Sequence, residues 1–329
     1  MSICNCLTIK FSVTHNFRNI LIQMSVGTRV FFLSMSTGEF ILGVLGNGFI
    51  GLVNCIEWVK NGKVSSADFI LTCLAVARII QLWVTLLDSF IVGLAPHLYA
   101  TGKLVKVVIL LWALTNHLTT WFATCLSIFY FLKIASFSHF FFMWLKWRMN
   151  WVLLVLFLAS FFLLSFDLLM QDALGELWMN IFREPERNMT LHLDASKIFY
   201  LKSLIFLGLT YVIPFILSLA SLLLLFLSLV RHTKNFQVNM NHSRDFSTEA
   251  HKRVMKMVTT FLLLFIVYFI STLIGNWIFL KLQWYEVMMF VMVVPTLFPS
   301  GHSFVIILGN SKLRQIAFRL LWGLKFYKN

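Results

Sequence analysis

The sequence carries none of the short motifs that mark the common catalytic sites. It has no His-Glu-x-x-His zinc helix, no Gly-rich phosphate loop, no Gly-x-Ser-x-Gly turn and no Cys-x-x-Cys pair. What remains is a small set of polar residues inside long apolar stretches. In a membrane such residues are costly unless they are paired or face water. They mark where binding or switching chemistry is expected, whereas an enzymatic function, a cofactor or a metal site has almost no support.

Arg78 is the sharpest of these residues, because a guanidinium inside an apolar segment needs a polar partner. Asn47 offers an amide oxygen at a similar depth in the preceding segment, and the glycines on either side of it allow two helices to approach closely. We therefore predict an Asn47–Arg78 contact between helices. The contact can be a structural bond or part of a switch, and the sequence leaves both interpretations open.

Trp112 and Asn116 are four residues apart, so they share one face of a helix. An aromatic wall beside an amide suits an amphipathic small molecule. Tyr268 and Met292, on two later apolar segments, are candidates to complete such a pocket. Helix packing alone can also account for the tryptophan.

The composition shows which elements must position these residues. The chain of 329 residues is 59 % hydrophobic and 12 % charged, with a mean hydropathy of +0.84. Soluble domains average roughly 45–50 % apolar and about 25 % charged residues. The net charge of +14 is spread between apolar runs and forms no single basic face, which argues against nucleic acid. The sequence therefore indicates a membrane protein.

Seven apolar runs are long enough to cross a bilayer, which takes about 20 residues each. We predict an all-α membrane protein, a seven-transmembrane-helix bundle with a short amphipathic helix at the C-terminal end. The predicted spans are 30–56, 69–94, 107–132, 151–169, 204–230, 257–280 and 287–308.

Basic residues in the connecting segments set the orientation, because Lys and Arg stay on the cytoplasmic side. Most of the 27 basic residues lie inside if the N-terminus is outside and the C-terminus inside. The N-glycosylation sequon at Asn188 agrees, since its loop then lies outside. The expected divisions are an extracellular segment 1–29, a membrane domain 30–308 and a cytoplasmic tail 309–329.

Charged residues near the two membrane surfaces add further candidates. Glu39 and Asp88 lie towards the outer side, where they can attract a cationic ligand or simply be solvated. The basic third inner loop, 231–256, suits an acidic cytoplasmic partner or anionic lipid, although membrane topology alone accounts for much of its charge.

Several motifs together resemble one family of seven-helix receptors, the type 2 taste receptors, which are the bitter receptors. The resemblance starts at about Met24; residues 1–23 have no counterpart, and translation from Met24 is an open alternative. The matching stretches are Asn54-Cys55, Ala67 to Ala75, Phe129-Tyr130-Phe131-Leu132-Lys133, Leu225 to Leu229, Ser247 to His251, Pro299 to Phe304 and Leu308 to Arg314.

The resemblance implies a G-protein-coupled receptor for bitter small molecules. Trp112, Asn116, Tyr268 and Met292 would then line the ligand pocket. An outward shift of the sixth helix would open a groove for a gustducin-type G protein, which activates phospholipase C. The resemblance implies that Asn47 and Arg78 form an interhelical polar pair, and that the inner activation machinery includes Tyr130, Lys133, Ser228 and His302.

Two rival classes of membrane protein fit the sequence less well. A small transporter or channel predicts inverted repeats and interrupted helices, and the sequence shows neither. A rhodopsin-class chemosensory receptor predicts Asp-Arg-Tyr after the third helix, Asn-Pro-x-x-Tyr in the seventh and a cysteine pair outside, and all three are missing. Homo- or hetero-oligomers with a second receptor chain remain open.

Overall fold

The computed structural model describes most of the predicted membrane domain. The described residues are 26–95, 103–183, 212–239, 259–271 and 300–326, with positions 256, 273–274 and 297–298. Nine helices cover this part of the chain. They are α1 Val26–Asn61, α2 Ser66–Leu94, α3 Lys103–Ile134, α4 Phe140–Trp147, α5 Met149–Arg183, α6 Ile213–Asn239, α7 Thr259–Ser271, α8 Ser300–Gly309 and α9 Ser311–Phe326.

Long apolar helices stand where the sequence predicts membrane spans. Within the described ranges, four are long and apolar enough to cross a bilayer, namely α1, α2, α5 and α6. α7 and α8 are apolar and shorter, and the remainder of the sixth and seventh predicted spans lies outside the described residues. The predicted all-α architecture is therefore seen throughout the described part of the chain.

α3 is 32 residues long but carries an unusual number of polar side chains. It packs against α2, α5 and α6, so these side chains face protein and not lipid. Thr120 and Thr124 each donate a hydrogen bond to the carbonyl four residues earlier, at 2.8 and 2.9 Å. Such back-bonding satisfies the hydroxyl groups without water. α3 is thus the interior helix of the described bundle.

Two apolar clusters meet around α3. The first joins α1, α2, α3, α8 and α9 through residues such as Ile50, Leu74 and Leu313. The second joins α3, α6 and α7 through rings such as Phe261 and Phe265. Tyr130 packs against both clusters, so it lies at the seam between them.

Close contact between α1 and α8 depends on small residues. A Cβ atom at Gly46 would lie 3.3 Å from the Cβ atom of Ser303, tighter than ordinary van der Waals contact. Gly48, the other glycine beside Asn47, has open space at the same position. Of the two glycines beside Asn47, Gly46 alone therefore serves the close approach that the sequence predicts.

α9 starts directly after α8 and is tied to the ends of α1 and α2. The side chain of Asn310 accepts hydrogen bonds from the backbone N–H groups of Lys312 and Leu313, at 3.0 and 3.3 Å. The Lys312 ammonium forms ion pairs with Glu57 and, at 3.4 Å, with Asp68. The predicted C-terminal helix is confirmed, and its first turn is anchored to the bundle.

Candidate functional site

The Arg78 side chain is fully buried and joins α2 to α8. Its Nη1 atom donates to Ser303 Oγ at 3.2 Å, and its Nη2 atom contacts His302 Nδ1. Ser303 Oγ in turn donates to Asn47 Oδ1 at 2.7 Å. The direct Asn47–Arg78 contact predicted from the sequence is therefore wrong, because the α8 hydroxyl stands between the two side chains.

The protonation of this cluster follows from its hydrogen bonds. A guanidinium can only donate, so His302 Nδ1 must accept and the imidazole is neutral with its proton on Nε2. In the described ranges Arg78 contacts no carboxylate, and its partners are neutral. A buried cation held only by neutral groups is costly and depends on every one of those bonds. The cluster is therefore sensitive to any change in the spacing of α1, α2 and α8.

A second polar cluster surrounds Asn116. Its Oδ1 atom accepts from Tyr268 Oη at 3.1 Å and from Gln81 Nε2 at 3.3 Å. Both Asn116 and Tyr268 are buried, and Trp112, one turn earlier on α3, is half-buried against the second apolar cluster. The structure thus brings together three of the four predicted pocket residues.

Gln81 was not predicted from the sequence as a site residue, although a polar amide inside an apolar segment could have marked it as one. It lies three residues after Arg78, so both side chains occupy one face of α2. Gln81 contacts the Asn116 cluster while Arg78 contacts the Ser303 cluster. One face of α2 therefore connects the two polar clusters.

The remaining outer candidates differ in their surroundings. Asp88 is half-buried near the end of α2. Glu39 is buried, so the interpretation of Glu39 as a solvated carboxylate is wrong. Met292 and Asn188 lie outside the described residues.

The other predicted activation residues lie around the end of α3. Ser228 Oγ on α6 accepts from the backbone N–H of Ser136 at 3.1 Å, which ties α6 to the segment after α3. The Lys133 ammonium lies 5.2 Å from the ring centroid of Phe129, close enough for a cation–π contact. Of the two contacts, the Ser228–Ser136 bond holds the segment that leads from α3 into α4.

A small cavity opens between α3, α6, α7 and α8. It has a volume of about 30 Å³ and is lined by Ser127, Tyr130, Leu222, Phe261 and His302 among others. A cavity that holds one water molecule needs a volume of roughly 10–15 Å³. The cavity has room for about two water molecules but not for a drug-sized ligand, which needs roughly 300 Å³ or more.

In the described ranges no three His, Cys, Asp or Glu side chains come together as a candidate metal centre. The polar residues link one helix to the next inside a bundle of membrane helices. This arrangement is that of a membrane protein built from several packed helices.

The family follows from comparison with known proteins. The family model described as Taste receptor protein (TAS2R) matches residues 24–325. The chain belongs to this family of taste receptors.

Individual relatives agree with the family model. Taste receptor type 2 member 42 of Pan troglodytes is 58 % identical over 301 residues, 90 % of this chain and 95 % of the relative. The Homo sapiens protein of the same description is 57 % identical over 299 residues, with the same coverage of 90 % and 95 %. Taste receptor type 2 member 7 of Macaca mulatta is 43 % identical over 302 residues, 90 % of this chain and 93 % of the relative.

Family membership confirms the main predictions from the sequence. The chain is a G-protein-coupled receptor of the bitter taste receptor family and not an enzyme. It is a multi-pass plasma-membrane protein that binds ligands and couples to G proteins. The transporter, channel and rhodopsin-class alternatives are thereby set aside.

Proposed function

We propose that this receptor binds bitter small molecules beside Trp112, Asn116 and Tyr268 and activates a gustducin-type G protein and, through it, phospholipase C. The observation that carries the proposal is the hydrogen bond from Tyr268 Oη to Asn116 Oδ1 at 3.1 Å. It joins α3 to α7, so a molecule that competes for either group acts directly on the contact between these helices.

The chemistry of the site favours an amphipathic ligand. Asn116 and Tyr268 supply an amide and a phenol, while Trp112 and Phe298 supply aromatic surface, with the Phe298 ring centroid 4.8 Å from that of Tyr268. Few polar groups in a largely apolar wall are typical of small-molecule sites. Asp88 lies seven residues beyond Gln81 on α2, about 10 Å along the helix at 1.5 Å per residue. In the proposal Asp88 attracts cationic ligands at the mouth and Met292 closes the pocket.

Aromatic rings provide a route from this pocket to the Arg78 cluster. Along α7 the rings of Tyr268, Phe265 and Phe261 follow one another with centroids 6.3 and 5.9 Å apart. The Phe261 ring then lies 4.1 Å from the ring of His302, which contacts Arg78. A ligand that moves Tyr268 would therefore displace α7 relative to α8.

In this mechanism a ligand needs only to favour the open arrangement of the helices. In the closed arrangement, the contacts around His302 and the small cavity hold α3, α7 and α8 together. Tyr130, Lys133 and Ser228 lie at the same end of the bundle, where opening would expose a groove to the G protein. Tyr130 and Ser228 are proposed as activation residues because their contacts link α3 and the segment after it to neighbouring helices, and Lys133 because it lies one turn after Phe129 at the same end of α3.

The proposed orientation places the N-terminus outside and the C-terminus in the cytoplasm. It is supported by the excess of basic residues on the inner side. The extracellular segment is then 1–29, with a glycan at Asn188, the membrane domain is 30–308 and the tail is 309–329. Homo- or hetero-oligomers are compatible with this arrangement.

Calcium imaging tests the proposed function. Cells expressing the chain together with a gustducin-tailed promiscuous G protein should respond dose-dependently to at least one compound of a bitter panel. Asn116→Ala should raise the half-maximal concentration at least about fivefold when cells are compared at matched surface expression, because it removes the acceptor of two buried hydrogen bonds. Leu110→Ala, an exposed position on the same helix, is the matched control and should respond normally. An unchanged response of Asn116→Ala would contradict the proposed site.

A further inference from the structure

The short helix α4 has one packed side and one bare side. Phe142 is buried, with its ring centroid 5.3 Å from the rings of both Phe131 and Phe137. On the bare side, the Phe140 side chain is 83 % exposed and the Trp147 side chain is 82 % exposed. Phe141 and Trp144 are exposed as well. An eight-residue helix with four large bare aromatic side chains is not arranged for contact with water.

The orientation of α4 is fixed by polar contacts. The Lys146 ammonium donates to the backbone carbonyl of Ala135 at 3.0 Å, which satisfies a carbonyl just beyond the end of α3. At the start of the helix, the His139 side chain accepts from the backbone N–H of Phe141 at 3.2 Å. The bare aromatic side chains therefore point outward as a consequence of the fold.

This aromatic surface continues into the outer face of α5, one of the four helices long enough to span a membrane. Trp151 is 67 % exposed and Phe162, three turns further, is 82 % exposed. A spanning helix in a membrane receptor presents such residues to lipid. Phe140, Trp144 and Trp147 are spaced four and three residues apart, which places them on one side of α4, and Trp151 lies in the first turn of α5. The side of α4 that bears the first three thus adjoins a lipid-facing surface.

A cation accompanies the aromatic rings where α4 meets α5. The Arg148 guanidinium lies 5.9 Å from the ring centroid of Trp144 and 5.7 Å from that of Trp147. Tryptophan and arginine together are the combination that favours the headgroup layer of a bilayer, where the rings are half in hydrocarbon and the charge meets phosphate.

We propose that α4 is an interfacial anchor, with Phe140, Phe141, Trp144 and Trp147 inserted into the phospholipid headgroup layer and Arg148 facing lipid phosphate. The anchor holds the end of α3 at a fixed depth through the Lys146–Ala135 bond. It requires only that the chain is a membrane receptor and is independent of the ligand pocket.

A fluorescent amino acid at position 147, excited apart from the native tryptophans, tests the anchor. The full chain is reconstituted in phospholipid nanodiscs, and quenching is compared for a lipid with a nitroxide near the headgroup, a lipid with a nitroxide near the chain end, and aqueous iodide. The same label at Phe162 calibrates the acyl region, and a label at Lys63, exposed in the α1–α2 loop, calibrates water. Repeating the measurement at Phe140 guards against a local disturbance by the label.

The anchor predicts the largest loss of emission at both 147 and 140 with the headgroup nitroxide, and much smaller losses with iodide than at position 63. Iodide quenching equal to that at position 63, with no quenching by either lipid, would overturn it. Loss of iodide quenching only after addition of G protein would also overturn it, and would assign α4 to protein docking.

Discussion

Ser303 shows how one hydroxyl group can determine the arrangement of three helices. It donates to Asn47 on α1 and accepts from Arg78 on α2, while belonging itself to α8. A hydroxyl can donate and accept at once, and the Ser303 side chain is small enough to lie close to Gly46. The residue that completes the predicted Asn47–Arg78 pair is therefore small and comes from a third helix.

Removing this hydroxyl should destabilise the receptor. Ser303→Ala leaves Asn47 Oδ1 and one Arg78 N–H group buried without a partner, and each such loss costs about 1–3 kcal/mol. We expect lower thermal stability of the purified receptor and lower surface expression. Ser138→Ala, at an exposed loop serine, is the control and should match the wild type. Equal stability of both variants would show that the Ser303 bridge contributes nothing.

The two glycines beside Asn47 provide a matched pair of variants. Gly46→Ala places a methyl group 3.3 Å from Ser303 Cβ, an atom that cannot rotate away, so α1 and α8 must separate. Overpacking of this kind costs about 1–3 kcal/mol. Gly48→Ala meets nothing within 4 Å and should be neutral or slightly stabilising, since alanine favours helix. Melting temperatures of the two variants in nanodiscs check the difference, and the reverse order would contradict the α1–α8 contact.

At the scale of elements, apolar periodicity and length were sufficient to place the long helices. A run of about 20 apolar residues is typical of a membrane span, and α1, α2, α5 and α6 stand where they were predicted. α4 was not predicted because its eight residues are shorter than any membrane span and lie between two apolar runs. Only tertiary contacts show that Phe142 is buried while its neighbours are bare.

The relative height of neighbouring helices was beyond the reach of the sequence. The similar depth of Asn47 in the membrane suggested it as the partner of Arg78. A shift of one helix past its neighbour by a single turn, however, changes which side chains meet. The sequence therefore predicted a direct Asn47–Arg78 contact, whereas Ser303 lies between the two side chains. The Asn116–Tyr268 contact needed the structure for the same reason.

The anchoring of α9 leads to a prediction at this scale. Lys312→Ala removes the ion pairs with Glu57 and Asp68 that hold α9 to α1 and α2. The groups are partly exposed, so the loss should be about 1 kcal/mol or less and should shrink at high salt. Arg319→Ala removes the same charge from the same helix without removing a described contact and should have no effect. Thermal unfolding of both variants at low and high salt distinguishes them; identical behaviour would rule out the anchoring of α9 by Lys312.

For the whole molecule, two polar clusters connected by α2 and by the α7 rings link the proposed ligand site to the opposite end of the bundle. Gln81 and Arg78 belong to one helix face, and Tyr268 reaches His302 through Phe265 and Phe261. Both routes end at the small cavity beside Tyr130. A substitution or a bound ligand at Asn116 is therefore expected to alter the helix contacts around this cavity, at the end of the bundle where the G protein would bind.

The central claim is that the Asn116–Tyr268 bond is the element on which a ligand acts, and a double-mutant cycle tests it most directly. Calcium responses to one active bitter compound are measured for Asn116→Ala, Tyr268→Phe and the double variant at matched surface expression. If both residues act through one bond, each single variant should raise the half-maximal concentration at least about fivefold, equivalent to roughly 1 kcal/mol. The half-maximal concentration of the double variant should then be no higher than that of the more impaired single variant. Fully additive losses, or a normal response of Tyr268→Phe, would contradict the account.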